Sequence, residues 1–263
     1  MTPKCRTYAA LALALLVLVT PVFAKPGDKD PPGKGEDHDQ GKALGHEKND
    51  ERTAREEKVR GFERWLTGAA ETKAYRVVAR EINAAVAGAI MAGVPSSVFE
   101  ARILEAAARG TPPDRLVSAL ETDAGNWTYL AGLLDGAGWP PSKATPGFYL
   151  AAGTAMRNGL QPMAVKAAVA WAVSTSTDAD RAGSAMVTAS AVASALGMTD
   201  ELAASLVVAL ASSRMPVSGF QSVAGLASRA AAAGIPAVDF CAAVVGALSA
   251  GADLDAAAAM IFP

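Results

Sequence analysis

Apolar residues recur every three or four positions through most of the chain, and no stretch alternates apolar and polar residues for long enough to indicate a β-strand. Over residues 59–263 this spacing predicts a series of short amphipathic helices. We therefore expect an all-α domain there, built either from stacked antiparallel helix pairs, as in an α-solenoid, or as an irregular helical bundle.

Glycine marks the ends of many of the predicted helices. Gly at this position takes the left-handed conformation that closes a helix, and a Pro, Asp or Thr soon afterwards begins the next one. The residue directly after the glycine is expected to pack back onto the helix that has just ended. Six glycines have this setting: Gly93, Gly110, Gly159, Gly197, Gly234 and Gly251.

The spacing of these glycines indicates an internal repeat. Gly93 and Gly110 are 17 residues apart, as are Gly234 and Gly251, while Gly159, Gly197 and Gly234 follow at intervals of 38 and 37. A two-helix unit of about 37 residues fits these intervals, and chance spacing in an alanine-rich bundle is the alternative. Two aligned sets of apolar positions, four residues apart, should then face the core: Phe99, Val165, Ala203 and Phe240, and Ile103, Val169, Val207 and Val244.

One helix restart resembles a known type of repeat. The segment Gly110-Thr111-Pro112-Pro113-Asp114-Arg115-Leu116 is similar to the repeats of exported, alanine-rich α-helical bacterial proteins of unknown function. The resemblance covers one or two units of the chain. It implies a helical repeat domain outside the cytoplasm, and it brings no activity, cofactor or site residue with it.

The regular pattern is interrupted between the two halves of the domain. Residues 126–147 are rich in aromatic residues and prolines, which predicts a helix followed by a loop near 137–147. Trp127, Tyr129 and Trp139 flank this loop. They either lock the loop onto the helices, as bulky anchors in an alanine-rich chain, or form an exposed binding surface.

The first 24 residues have the order of a secretory signal. Lys4 and Arg6 precede the apolar stretch Ala9–Val19, and Val22-Phe23-Ala24 offers a small residue at the cleavage point. The apolar stretch is shorter than the roughly 20 residues of a spanning helix. We therefore expect an exported protein, periplasmic or extracellular, with no transmembrane helix in the processed chain.

Residues 25–58 are predicted to form a disordered, charged linker. Eight of these 34 residues are Lys or Arg, ten are Asp or Glu, and none is aromatic. Such a segment cannot bury enough apolar surface to offset the entropy of ordering its chain. From about Asp50 the charges adopt helical spacing, so a first helix is expected to begin there and to continue through Phe62 and Trp65.

The residue inventory excludes several kinds of chemistry. His38 and His46 are the only histidines, and both lie in the predicted linker, so the helical domain offers no His general base or zinc ligand. A net charge of −2 without a basic stripe argues against nucleic-acid binding. No cofactor or metal is expected, and Cys241 lies in an apolar stretch typical of a buried core residue.

Carboxylates are the remaining catalytic candidates. Glycosidases use pairs of carboxyl groups, and the chain offers Glu81, Glu100, Glu105 and Glu121 for that role. Ordinary pairing with Arg102 and Arg109 explains two of them equally well. We therefore favour a non-enzymatic exported protein that binds a protein or an envelope component. The alternatives are a carboxylate-based cell-wall glycosidase and a self-associating surface or structural protein.

Overall fold

The computed structural model describes residues 40–139, 144–176 and 178–262, and residues 46–263 make up one compact unit. The described residues form α-helices and two short 3-10 helices, with no β-strand among them, which confirms the all-α fold. The 3-10 helices are Lys73–Val78 and Val217–Gly219. The α-helices are α1 (Gln40–Gly68), α2 (Ala79–Met91), α3 (Ser96–Ala108), α4 (Pro113–Gly136), α5 (Pro146–Arg157), α6 (Pro162–Thr175), α7 (Ala179–Leu196), α8 (Asp200–Ser212), α9 (Phe220–Ala232), α10 (Ala237–Ser249) and α11 (Leu254–Ile261).

Most helices from α2 to α9 pack mainly against a next-but-one neighbour along the chain. In one layer α5 lies on α7 and α7 on α9, while in the other α2 lies on α4, α6 on α8 and α8 on α10. Contacts between consecutive helices, such as α7 with α8 and α10 with α11, join the two layers. This is the arrangement of stacked helix pairs, in which each unit buries its apolar face against the next.

All six predicted glycines end helices in the way that the sequence indicates. Each has a positive φ, for example +102° at Gly93 and +62° at Gly197. The residue after each glycine donates its N–H to the carbonyl five residues earlier, as Val94 does to Ala89 at 3.0 Å. This bond satisfies a carbonyl that the end of a helix would otherwise leave unpaired.

The two aligned sets of apolar positions also face the core. All eight of these side chains are buried, with Ala203 the most exposed at 4%. The same positions of successive predicted units therefore carry buried apolar residues, as the helical spacing predicts.

The first helix extends further towards the N-terminus than the sequence predicts. α1 begins at Gln40, so residues 40–58 of the predicted disordered linker are helical. Oppositely charged side chains at helical spacing, such as Arg52 with Glu56 at 3.2 Å, stabilise the part of this helix from residue 50 to residue 58. Phe62 and Leu66 anchor its other end in the core. Residues 1–39, which include the predicted signal, the start of the linker and His38, lie outside the described residues.

The most apolar part of the chain folds as two helices. α7 ends at Leu196 and α8 begins at Asp200, with Gly197 in the left-handed conformation between them. Among the helices that the structure describes, none is both long enough and apolar enough to cross a lipid bilayer.

Candidate functional site

A groove of about 500 Å³ lies where the α8–α9 connection meets the α10–α11 connection. Residues 213–219 form one wall and residues 251–255 the other. A smaller concavity of about 250 Å³ shares Arg214 and Leu248 with it and continues it along the end of α10. The large apolar residues of the groove are Met215, Leu248 and Leu254, and its charged residues are Arg214, Asp253 and Asp255.

The first wall exists because α8 ends without a glycine. Arg214 stands 17 residues after Gly197, at the position where glycines close the equivalent helices, and the preceding Ser213 is extended. Arg181 of α7 supplies the missing cap. Its Nε donates to the carbonyl of Ala211 at 2.7 Å, and its Nη2 donates to that of Ser213 at 2.5 Å. A guanidinium from the neighbouring helix thus satisfies the carbonyls that a glycine turn satisfies elsewhere.

Arg181 also fixes the beginning of α9. Its guanidinium carbon lies 5.1 Å from the centre of the Phe220 ring, which is a cation–π contact. Burial lowers the pKa of Arg181, and the nearby Asp178 carboxylate acts in the opposite direction. Arginine nevertheless stays protonated in proteins. One charged side chain therefore holds both ends of the 213–219 segment and so positions Arg214.

The second wall, residues 251–255, is held in place by a glycine turn and by a helix cap. Gly251 has a φ of +69°, and the N–H of Ala252 donates to the carbonyl of Ala247 at 2.9 Å. The Asp253 carboxylate accepts the N–H of Ala256 at 3.0 Å and so caps α11. Asp255, in the first turn of α11, is exposed. The groove therefore presents one arginine and two aspartates beside an apolar lining.

A buried ion cluster joins α3, α4 and α5. Asp123 of α4 is fully buried, and its Oδ2 lies 2.9 Å from Nε of Arg102 on α3. Its other oxygen accepts a hydrogen bond from Arg157 on α5. Arg102 also pairs with Glu105 at 2.5 Å, and Glu105 pairs with Arg109 at 2.8 Å. Both oxygens of Asp123 are thus occupied by arginines from neighbouring helices.

The cluster shifts the pKa values of Glu105 and Arg102 towards their charged forms. The hydrogen bond from Arg102 holds the pKa of Glu105 below its usual value. Burial lowers the pKa of Arg102, but the hydrogen bonds to Asp123 and Glu105 outweigh it and raise the pKa overall. These groups are stabilised as ions, which suits a structural network and not a proton donor.

The four candidate carboxylates do not converge on the groove. Glu105 belongs to the ion cluster, and Glu100 accepts a hydrogen bond from the Ser96 hydroxyl at 3.1 Å. Glu81 and Glu121 are exposed on α2 and α4. None of the four lines either concavity.

The aromatic residues beside the interruption are mostly core residues. Trp127 is fully buried, and its Nε1 donates to the Tyr149 carbonyl at 2.7 Å. Trp139 is 5% exposed and follows Gly138, so it packs back onto α4 as the residues after the other glycines do. Tyr129 is 39% exposed. The three side chains therefore share no exposed surface, because two of them fill the space that alanine-rich helices leave.

Cys241 lies in the core of the domain. Cys241 is buried, its Sγ lies 3.6 Å from the Leu202 carbonyl oxygen, and burial raises its pKa to about 11. Within the described ranges, no three His, Cys, Asp or Glu residues gather closely enough to hold a metal ion. His46 lies on α1.

Comparison of the chain with protein-family models, with curated proteins and with solved structures finds no match. The function therefore has to be inferred from the residues themselves. Sequence reasoning missed Arg181, Asp123 and Arg214, which organise the groove and the ion cluster. A signal existed for Arg214 alone, since it occupies the glycine position of the repeat.

Proposed function

We propose that this protein is an exported helical-repeat protein that binds a protein or envelope component through the groove between the α8–α9 and α10–α11 connections. The observation that carries the proposal is that both walls are held in place before any partner arrives. Arg181 secures the wall that carries Arg214, and the Asp253 cap secures the wall that carries Asp255. A preformed surface loses little conformational entropy on binding, which favours affinity.

Binding fits the electrostatics of the domain better than glycoside hydrolysis does. A glycosidase needs two carboxyl groups beside its substrate, one of them with a raised pKa. The shifted carboxyl groups of the described residues, Glu57, Glu105 and Glu201, all have lowered pKa values. In the groove, Asp253 is already engaged as a helix cap.

Residues 1–24 support the proposal that the protein is exported. The basic residues, the short apolar stretch and the small residue at position 24 are the elements of a cleavable signal. N-terminal sequencing of the protein purified from its native host should give Lys25 as the first residue. Intact Met1 on the purified protein would count against export by this route.

Site-specific photo-crosslinking tests the groove. Ser222 lines it and is exposed, while Ser118 is exposed on α4 and does not line it. We expect a benzophenone amino acid at position 222, but not at position 118, to form one adduct of defined mass in the native cell envelope. Arg214→Glu should suppress the adduct, because it reverses the only positive charge of the groove. No adduct, or equal adducts at both positions, would contradict the proposal.

A further inference from the structure

Two helices of the same layer, α10 and α2, each present an exposed face among the described residues. α10 packs against α8 and α11, and its remaining face presents the exposed Val238, Ala242 and Ser249 and the half-buried Val245. Val238 is 57% exposed. These positions recur at helical spacing, so they form one continuous strip.

The second face belongs to α2 and the 3-10 helix before it. α2 packs against α4, and its exposed face presents Arg80, Ala84 and Gly88, continued by Val77 at 79% exposure. The small residues Ala84 and Gly88 allow another helix to approach closely, as the alanines between stacked helices do elsewhere in the domain. Val77 is the most exposed large apolar side chain of the described residues.

The charges around the two faces are opposite. Asp239, the one charged residue of α10, directly follows Val238. Residues 72–80 contain three basic residues and surround Val77, and Glu71 and Glu81 lie at the two ends of this range. The acidic residue beside the α10 face and the basic residues beside the α2 face favour association of these two faces and disfavour pairing of either face with itself.

We propose that a second copy of this chain covers the α10 face with its own α2 face, so that copies stack head to tail. α10 of one copy then packs on α2 of the next, in the way that α8 packs on α10 within one chain. Such contacts are heterologous, so they extend beyond a dimer as concentration rises. The inference uses a surface distinct from the groove and does not depend on the proposed function.

Two surface variants test this arrangement in solution. Val238→Lys blocks the α10 face and Val77→Glu blocks the α2 face, and both side chains are exposed, so neither change should unfold the protein. Analytical ultracentrifugation of the purified wild-type protein should show oligomers that grow with concentration and shrink with added salt. Each variant alone should be monomeric, and an equimolar mixture of the two should form dimers, since it retains one intact face of each kind.

The control is Met163→Lys, a charge placed at a comparably exposed apolar position on α6. This variant should associate like the wild type. The proposal is overturned if the wild type stays monomeric at all concentrations, because a second copy then does not cover either face. It is also overturned if Val77→Glu still dimerises alone, because that result shows α10 faces pairing with each other.

Discussion

The indole of Trp127 on α4 occupies the space where a side chain on Gly153 of α5 would lie. A Cβ added to Gly153 would overlap the indole nitrogen and lie 3.1 Å from Cε2. The same nitrogen donates to the Tyr149 carbonyl one turn earlier on α5, and the Phe99 ring meets the indole edge-on at 5.0 Å. A glycine within a helix is normally destabilising, so this contact explains why α5 has one here.

Replacing that glycine should therefore destabilise the protein. Gly153→Ala forces the buried indole from its position, and we expect the free energy of unfolding to fall by about 1–3 kcal/mol, as for other overpacked cores. Urea denaturation followed by circular dichroism measures this. Gly132→Ala on α4 is the control, because nothing lies within 4 Å of its added Cβ. An unchanged stability for Gly153→Ala would show that Trp127 does not pack there.

Removing Asp123 should lower the free energy of unfolding strongly. Asp123→Ala leaves Arg102 and Arg157 without their shared partner, and their side chains are only 20% and 28% exposed. Removing one member of a buried ion pair costs about 3–5 kcal/mol. We expect a loss of that order in urea denaturation, and almost none for the exposed Glu121→Gln on the same helix. A loss below about 1 kcal/mol would mean that water already solvates the cluster.

Arg181 should be required for the shape of the groove. Arg181→Ala frees the carbonyls at the end of α8, so hydrogen exchange of the amides of residues 213–215 and 217–220 should become faster than in the wild type. Arg181→Lys should restore only part of the protection, because an ammonium lacks the planar fork that reaches several carbonyls at once. Arg115→Ala removes an exposed arginine and should leave exchange unchanged. Equal exchange in all these variants would contradict the capping role.

Cys241 should react slowly as long as the protein is folded. Burial raises the pKa of its thiol to about 11, so near neutral pH almost none of it is thiolate, the reactive form. Iodoacetamide labelling at pH 8 should be slower than that of the urea-unfolded protein by at least about a hundredfold. Labelling at equal rates would show that α10 does not bury this residue.

The sequence predicts the ends and the buried faces of the helices well, because both are set by interactions between residues close together in the chain. Gly197 and Gly234 end helices by a backbone preference that needs no distant partner, and residues such as Val207 face the core by helical spacing alone. The charge spacing predicts that α1 begins near Asp50, whereas the helix begins at Gln40. The highly charged composition of residues 40–58, which is typical of a disordered segment, obscured the helical spacing of its charges.

The groove and the ion cluster depend instead on contacts between residues far apart in the chain. Arg181 caps a carbonyl 32 residues later, and Asp123 binds a guanidinium 34 residues later. Local periodicity carries no information about such pairs.

Gly138 was missed for a different reason. The prolines after it directed attention to the predicted loop near 137–147, and α4 does end at Gly136 and α5 begin at Pro146, with residues 140–143 outside the described ranges. Gly138 itself has a positive φ, as the glycines that end the other helices do.

The central claim is that helices such as α5, α7 and α9 pack on their next-but-one neighbours, and the contact between Ala151 of α5 and Gly183 of α7 tests it most directly. A Cβ in place of one Gly183 hydrogen would lie 2.9 Å from the Ala151 methyl carbon. Nuclear Overhauser spectroscopy with methyl-labelled alanine should therefore show a strong cross-peak between the Ala151 methyl and the Gly183 α-protons. Its absence, in a protein whose helices are otherwise intact, would contradict the stacked arrangement.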